Sequence, residues 1–366
     1  YDDFEKSAAS ILVLRGEEGM GKTAFAAHLT RKKSAGTVLP YFAGENASAA
    51  EMALYLMNSI TGEEKEIMSF PDHGAFMDAF HECLQHVDKP LLFVIDGMDQ
   101  FAGEESRFSF LPHDLPENVR FVLTTSPQDE GCSQLGESFP VMEVQMPPVP
   151  DAAAFVRACL AAAGKALPEE ILQHIAAHPL SGNYLFLDMM VRMLMLLGRH
   201  DFAVMGGGGI DGINAYILDK INHLPKTMLE MGFLFLYDLG DQVISGRGAD
   251  YLSAMAQAPH GLRAQDLQHM YPENWDEAEF AFFVDFLEGF LSCDEMGCYQ
   301  LTSLLMRRAC IAAEEEGLLA RLCDHFAFLP DNDPVKIKSA LPLFLLCGKA
   351  ENARQLMLHN RENKAL

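Results

Sequence analysis

A mostly parallel α/β sheet followed by helical domains is the architecture the sequence predicts, and three observations carry it. Residues 1–147 alternate short, β-rich apolar runs with helix-patterned stretches, as strands joined by crossover helices do. One of those runs, I-L-V-L-R, leads directly into the glycine loop G-E-E-G-M-G-K-T at residues 16–23. After a proline cluster, M-P-P-V-P ending at Pro150, the pattern becomes almost wholly helical.

Taken in order, strands are predicted over 11–15, 37–43, 91–96, 119–125 and 141–145, with helices over 24–33, 49–61 and 75–87 between them. In an open parallel sheet, ligands bind outside the carboxyl ends of the strands, which is where the glycine loop falls. Beyond Pro150, helices are predicted over 152–163, 168–178 and 184–197. The run Gly206–Gly209, with Gly212, reads as a mobile loop and not a phosphate cradle, because no lysine follows it. From Asn214 to about Ala312, helical stretches lead to a small hairpin, 290–293 and 298–301, around D-E-M-G. Helices followed by one hairpin predict a winged-helix unit. The tail from Leu318 reads as helix pairs typical of a helical repeat. Four domains follow: 1–147 nucleotide-binding, 148–205 helical, 210–312 winged-helix-like and 313–366 repeat-like.

The 366 residues carry a formal charge of −25, with 49% hydrophobic and 22% charged residues, as expected of a soluble, multi-domain globular chain. That charge, with no Lys/Arg-rich run, argues against non-specific binding to nucleic acid or anionic membrane. The most apolar segment, 184–197, is broken by Asp188 and Arg192 and is too short to span a bilayer. None of the eight cysteines forms a C-x-x-C pair or has a histidine at zinc spacing, so all eight are expected to be reduced, mostly buried thiols. With no signal peptide in Y-D-D-F-E-K, the expected compartment is the cytoplasm. The abrupt start without methionine suggests a piece of a longer polypeptide.

The glycine loop has the residues that phosphate binding requires. Gly16, Gly19 and Gly21 let backbone N–H groups curl around phosphate oxygens, with Met20 supplying another amide. Lys22 reaches the β/γ-phosphates, and the Thr23 hydroxyl ligates Mg²⁺. Ala24 opens the following helix, whose dipole adds positive potential at the phosphates. A structural glycine turn is the competing explanation, but the strand before the loop and the helix after it favour a nucleotide site.

The second constellation is P-L-L-F-V-I-D-G-M-D-Q-F, residues 90–101. Its apolar strand delivers Asp96 to the strand end, where a carboxylate can hold Mg²⁺ opposite Thr23. Asp99 follows three residues later, within reach of an attacking water that it can orient or deprotonate. Both aspartates also suit a simple D-G turn. A third strand ends in Thr124, Thr125 and Ser126, hydroxyls suited to sensing a γ-phosphate, although strand-end hydroxyls also serve turns.

Together the glycine loop, D-G-M-D, and L-P-E-N-V-R-F-V-L-T-T-S (115–126) resemble the NACHT-type members of the STAND class, multi-domain signal-transduction ATPases. V-L-P-Y-F-A-G-E-N before Ala47 resembles their second strand. S-G-N-Y-L-F-L (181–187) is similar to the family's G-N motif near bound nucleotide, which implies cofactor contacts for Asn183 and Tyr184. G-L-R-A-Q-D-L (261–267) and Y-Q-L-T-S-L-L-M-R-R (299–308) are similar to its winged-helix segments. The sequence departs from the family at Gln100, where a second acidic residue is common, and at Pro127, where an arginine often ends the sensing strand. It also has Ser303 in place of a phosphate-contacting histidine. The upstream element that helps hold adenine is expected before Tyr1.

The resemblance implies a slow P-loop ATPase that binds ATP or ADP with Mg²⁺. It also implies a closed ADP monomer, homo-oligomerisation on activation, a sensed protein or peptide ligand, and an effector domain on the same polypeptide. Intracellular, including antiviral, defence is the implied setting. Two other readings stay open: a catalytically weak nucleotide-binding scaffold, and an AAA-type DNA-remodelling ATPase, which the acidic balance disfavours. His174 and His178 lie at zinc spacing but have no evident third ligand, so surface or cap roles are favoured. Met189, Met190, Met193 and Met195 read as adaptable core, and Trp275 alone indicates no ligand.

Overall fold

A computed structural model describes residues 1–31, 37–44, 47–103, 107–197, 209–242, 247–273, 275–312 and 317–363. It divides into two compact units. The first comprises residues 1–150 with Gly182–Leu185, and the second comprises Asp151–Ser181 with Phe186–Leu366.

The first unit is built on five parallel strands: β1 (Ile11–Arg15), β2 (Thr37–Phe42), β3 (Leu91–Asp96), β4 (Val119–Thr125) and β5 (Val141–Gln145). Their spatial order is β2-β3-β4-β1-β5. β4 therefore lies between the strand that enters the glycine loop and the strand that ends in Asp96, with Arg15 paired to Thr125 and Ile95 to Leu123. β1 and β3 are buried at every residue, as continuous apolar runs covered on both faces should be.

Helices α1 (Asp2–Lys6), α2 (Lys22–Arg31), α3 (Ala49–Thr61) and α4 (His73–Gln85) belong to this unit. α3 is capped by Ser48, whose hydroxyl accepts from the Glu51 amide, and it ends on Gly62 in the left-handed region. α4 starts at His73, two residues before the predicted start, because Asp72 accepts from the Ala75 amide. The main core stacks Phe93 on Phe121 with centroids 4.7 Å apart, beneath Phe76, Phe80, Met52 and Leu56. A smaller core on the opposite face joins Phe4, Leu12, Leu14, Ala26, Leu29, Val94 and Val122.

The second unit contains α6 (Ala152–Ala162), α7 (Glu169–Ala176) and most of α8 (Tyr184–Leu196); the short α5 (Glu130–Gln134) precedes β5 in the first unit. Met189 and Met190 are buried in the second unit. Arg192 donates to the carbonyls of Phe286 and Glu288 and lies over the Phe290 ring at 4.7 Å. Helices Gly209–Asn222, Met228–Gln242, Gly248–Gln257, Ala264–Met270 and Glu277–Phe286 precede an antiparallel pair, Leu291–Cys293 with Tyr299–Leu301. Trp275 packs against Tyr251 and Phe280. Four more helices follow, Leu304–Ala312, Leu318–Phe328, Pro334–Leu346 and Ala350–Asn363.

Two expectations need correction. Gly212 lies inside the helix Gly209–Asn222, not in a loop; residues 206–208 fall outside the described residues. Not all cysteines are free thiols: Cys323 is bridged to Cys347, 24 residues away. Packing of the helix Leu318–Phe328 against the helix Pro334–Leu346 brings those cysteines together, and sequence spacing cannot register such an approach.

Candidate nucleotide site

β1 delivers the chain to its carboxyl end, and the glycine loop turns there. Gly19 and Gly21 have φ of +84° and +87°, values at which a side chain would be strained. Gly16 is constrained by space instead, since a Cβ there would lie 2.9 Å from Met146 Cβ. α2 begins at Lys22 itself, two residues before the predicted start, so its first amides face back into the loop. Thr23 and Ala24 are exposed on that first turn, and Met20 is half-buried in the loop.

The Lys22 ammonium donates to the carbonyls of Gly16 at 2.5 Å and Glu17 at 3.0 Å. Burial lowers its pKa, and the negative charges of Asp99, Asp96, Glu18 and Glu17 oppose that loss. Asp99 is the strongest of these opposing influences, which places both sequence-predicted aspartates in the electrostatic environment of the lysine. Asp99 itself is exposed on a single turn, Met98–Gln100, that follows left-handed Gly97.

Asp96 is only 8% exposed and gathers the site's hydroxyls. Its Oδ2 accepts from Thr23 at 2.7 Å, and its Oδ1 accepts from Thr124 at 2.6 Å. Thr124 in turn accepts from the Gly97 amide at 2.9 Å, which fixes the turn leaving β3. Thr125, also fully buried, donates to Asp129. The two threonines predicted as sensing hydroxyls thus have separate partners: one serves the Asp96 carboxylate and the other serves Asp129.

Gly182–Leu185 is part of the first unit and grips the loop from outside. Asn183 Nδ2 donates to the Glu18 carbonyl at 2.8 Å, and the Leu185 amide donates to the Gly19 carbonyl at 3.2 Å. A Cβ on Gly19 would fall 2.4 Å from Asn183 Oδ1 and 2.6 Å from Leu185 Cβ, so this close approach also requires glycine. Tyr184 lies beside Gly21, with a ring carbon 3.8 Å from where that residue's Cβ would be. Asn183, expected to contact nucleotide, holds the backbone of the loop in this structure.

This residue set fits a nucleotide with Mg²⁺. Its oxygen donors, the Thr23 hydroxyl and the Asp96 carboxylate, are the hard ligands magnesium prefers, and they already meet beside the glycine loop. The sequence reading missed Asp129 and its neighbours. Their only local signal was an aspartate four residues beyond Thr125. The histidines set aside earlier lie elsewhere: His178 stacks on Phe186 at 4.6 Å, and His174 is exposed beside its own helix. No described helix is long and apolar enough to cross a membrane.

Comparison with known proteins agrees with this geometry. Residues 10–163 match the family model of the NACHT domain. Two curated proteins, both tetratricopeptide repeat protein 41, align over 149 residues: the mouse protein at 26% identity and the rat protein at 25%. Each alignment covers 34% of this chain and 11% of the relative, so the chain spans about a ninth of their length. Among solved structures, the chain is similar to a Signal Transduction ATPase with Numerous Domains (STAND) protein with a tetratricopeptide repeat sensor from Pyrococcus horikoshii. The TM-score is 0.58 at 13% identity, covering 97% of this chain and 48% of that one. Residues 10–163 are a NACHT-type P-loop NTPase module, and the chain shares its fold with that STAND protein.

Proposed function

We propose that this chain is the nucleotide-operated part of a molecular switch, binding ATP or ADP with Mg²⁺ and hydrolysing ATP slowly. The observation that carries the reading is the junction of Thr23, Asp96 and Thr124 beside the glycine loop. Thr23 and Asp96 would hold the metal, which when bound neutralises phosphate charge and orients the β- and γ-phosphates. Lys22 and the amides of Gly19, Gly21, Thr23 and Ala24 bind and orient the phosphates, with Gly16 and Met20 shaping the loop around them. Asp99 orients the attacking water and takes its proton. Thr125, at the end of the strand between loop and metal carboxylate, registers the γ-phosphate, and Asn183 and Tyr184 couple the loop to the start of α8.

In this reading residues 148–205 form a helical domain, 210–312 a winged-helix-like domain and 313–366 a repeat-like region. The γ-phosphate biases two packings of these parts by differential affinity. ADP favours a closed monomer, while ATP with a sensed protein or peptide ligand favours an open form that self-associates. The open form activates an effector on the same polypeptide, in cytoplasmic defence signalling. Mg²⁺-dependent ATP binding and phosphate release, compared between parent and Asp96→Ala, test the nucleotide chemistry; equal values in both would sink it. Gln100 favours a second reading, a nucleotide-binding scaffold with little turnover, and phosphate release at saturating ATP separates the two.

A further inference from the structure

One buried carboxylate, Asp129, has no role in the site described above, yet three segments of that site end on it. Asp129 is 8% exposed and caps α5 by accepting from the Cys132 amide. Its Oδ2 accepts from Thr125, the last residue of β4, and its Oδ1 is ion-paired with Arg107. Its backbone carbonyl accepts from Arg15 at 2.7 Å, and Arg15 is the last residue before the glycine loop. The other guanidinium nitrogen of Arg107 makes a long contact, 3.5 Å, to the Met98 carbonyl in the turn that carries Asp99. The tip of β4 and, through Arg107, the Asp99 turn are therefore tied to the Asp129 side chain, and the entry to the loop is tied to the backbone of the same residue.

A helix cap alone would not call for this arrangement, because an uncharged asparagine or serine caps equally well. Arg107 is 6% exposed, and its Nε has no partner among the described residues. A buried pair left partly unsatisfied is poor value for stability. Room has also been kept for it: a Cβ on Gly131 would lie 2.0 Å from Arg107 Nη2. Burial works to raise the Asp129 pKa, but the Thr125 hydrogen bond and the Arg107 charge outweigh it and hold the carboxyl below its ordinary value.

We propose that Asp129 and Arg107 are a positioning pair for nucleotide hydrolysis, fixing the loop entry, the Asp99 turn and the β4 tip in one register. The proposal rests on the hydrolytic reading given under the proposed function. The pair touches no reacting atom; it acts by holding Asp99 and Thr125 in place relative to the loop.

The test compares Asp129→Asn, which keeps the cap, with Arg107→Met, Arg107→Lys and Gly131→Ala, the last of which displaces the guanidinium without removing it. Mg²⁺-ATP affinity and kcat per folded molecule are measured below the Tm of each variant. Asp129→Asn and Arg107→Met should lose about tenfold or more in kcat, as small misplacements do, while Kd stays within about threefold of the parent. Arg107→Lys should recover part of the loss, and Gly131→Ala should resemble Arg107→Met. Parental kcat in the folded variants, with only Tm lowered, would reduce the pair to a structural cap and overturn the proposal. Equal losses in affinity and kcat would overturn it too. A parent that binds ATP without turnover contradicts the hydrolytic reading itself and this proposal with it. A parent that turns over beside unaffected variants overturns this proposal alone.

Discussion

Thr23, on the first turn of α2, donates its hydroxyl to Asp96, at the end of β3, at 2.7 Å across 73 residues of sequence. The contact depends on the strand order: β4 separates β1 from β3, so the loop reaches over its tip, and Thr124 supplies the second bond to the same carboxylate.

Lys22→Ala should leave the fold intact, because among the described residues the ammonium's hydrogen bonds go to carbonyls of its own loop. It should weaken ATP binding by about 2 kcal/mol or more, at least roughly thirtyfold, the worth of a charge-assisted contact. Titration calorimetry measures this directly, and parental affinity in the variant would remove the loop from the phosphate site.

Asp96→Ala and Asp99→Ala should separate binding from turnover. Asp96 carries both threonine hydroxyls, so its loss should abolish the Mg²⁺ dependence of binding together with hydrolysis. Asp99 is exposed beyond the strand, so its loss should spare affinity and slow phosphate release by about a hundredfold, within the range of general-base catalysis. Undiminished release in Asp99→Ala would transfer the base to another group.

Asn183→Ala removes the bond to the Glu18 carbonyl and the acceptor for the Leu185 amide. Each bond is worth about 1 kcal/mol, so nucleotide affinity should fall several-fold and hydrogen exchange at the loop amides should quicken. Unchanged exchange at Gly19 and Met20 would show that the loop holds its shape unaided.

Acid stability of the second unit should depend on Asp266. Burial opposes its ionisation, but hydrogen bonds from His325 and Arg263 prevail and bring its pKa down to about 2, below the ordinary carboxylate value of about 3.9. A depressed folded-state pKa adds stability that is complete above about pH 4 and lost as pH falls toward 2, on the order of 2 kcal/mol. Asp266→Asn should therefore cost stability at neutral pH and flatten the acid limb of a denaturation series. A parental slope between pH 4 and 2 in that variant would place the linkage on other carboxylates.

Much of the first unit is legible in the sequence because its central strands, β1, β3 and β4, are almost wholly buried. β1, β3, β4 and β5 begin and end where the apolar runs do, and β2 stops one residue short of prediction, at Phe42. Helix starts are less legible, as at α4, where the Asp72 cap decides the boundary and not the first alanine. The loop, Thr23 and Asp96 could be proposed for the site from sequence because each has a local motif. The Arg107–Asp129 pair and the Cys323–Cys347 bridge had no such signal, since their partners lie 22 and 24 residues apart and meet only through tertiary packing.

The switch itself is tested most directly by small-angle scattering and light scattering of the protein saturated first with ADP and then with Mg²⁺-ATP. Nucleotide shifts an equilibrium only through different affinity for its two states. The account predicts a compact monomer with ADP and a more extended, self-associating form with ATP, with the difference lost in Lys22→Ala. Superimposable profiles from protein shown to have bound each nucleotide would contradict it.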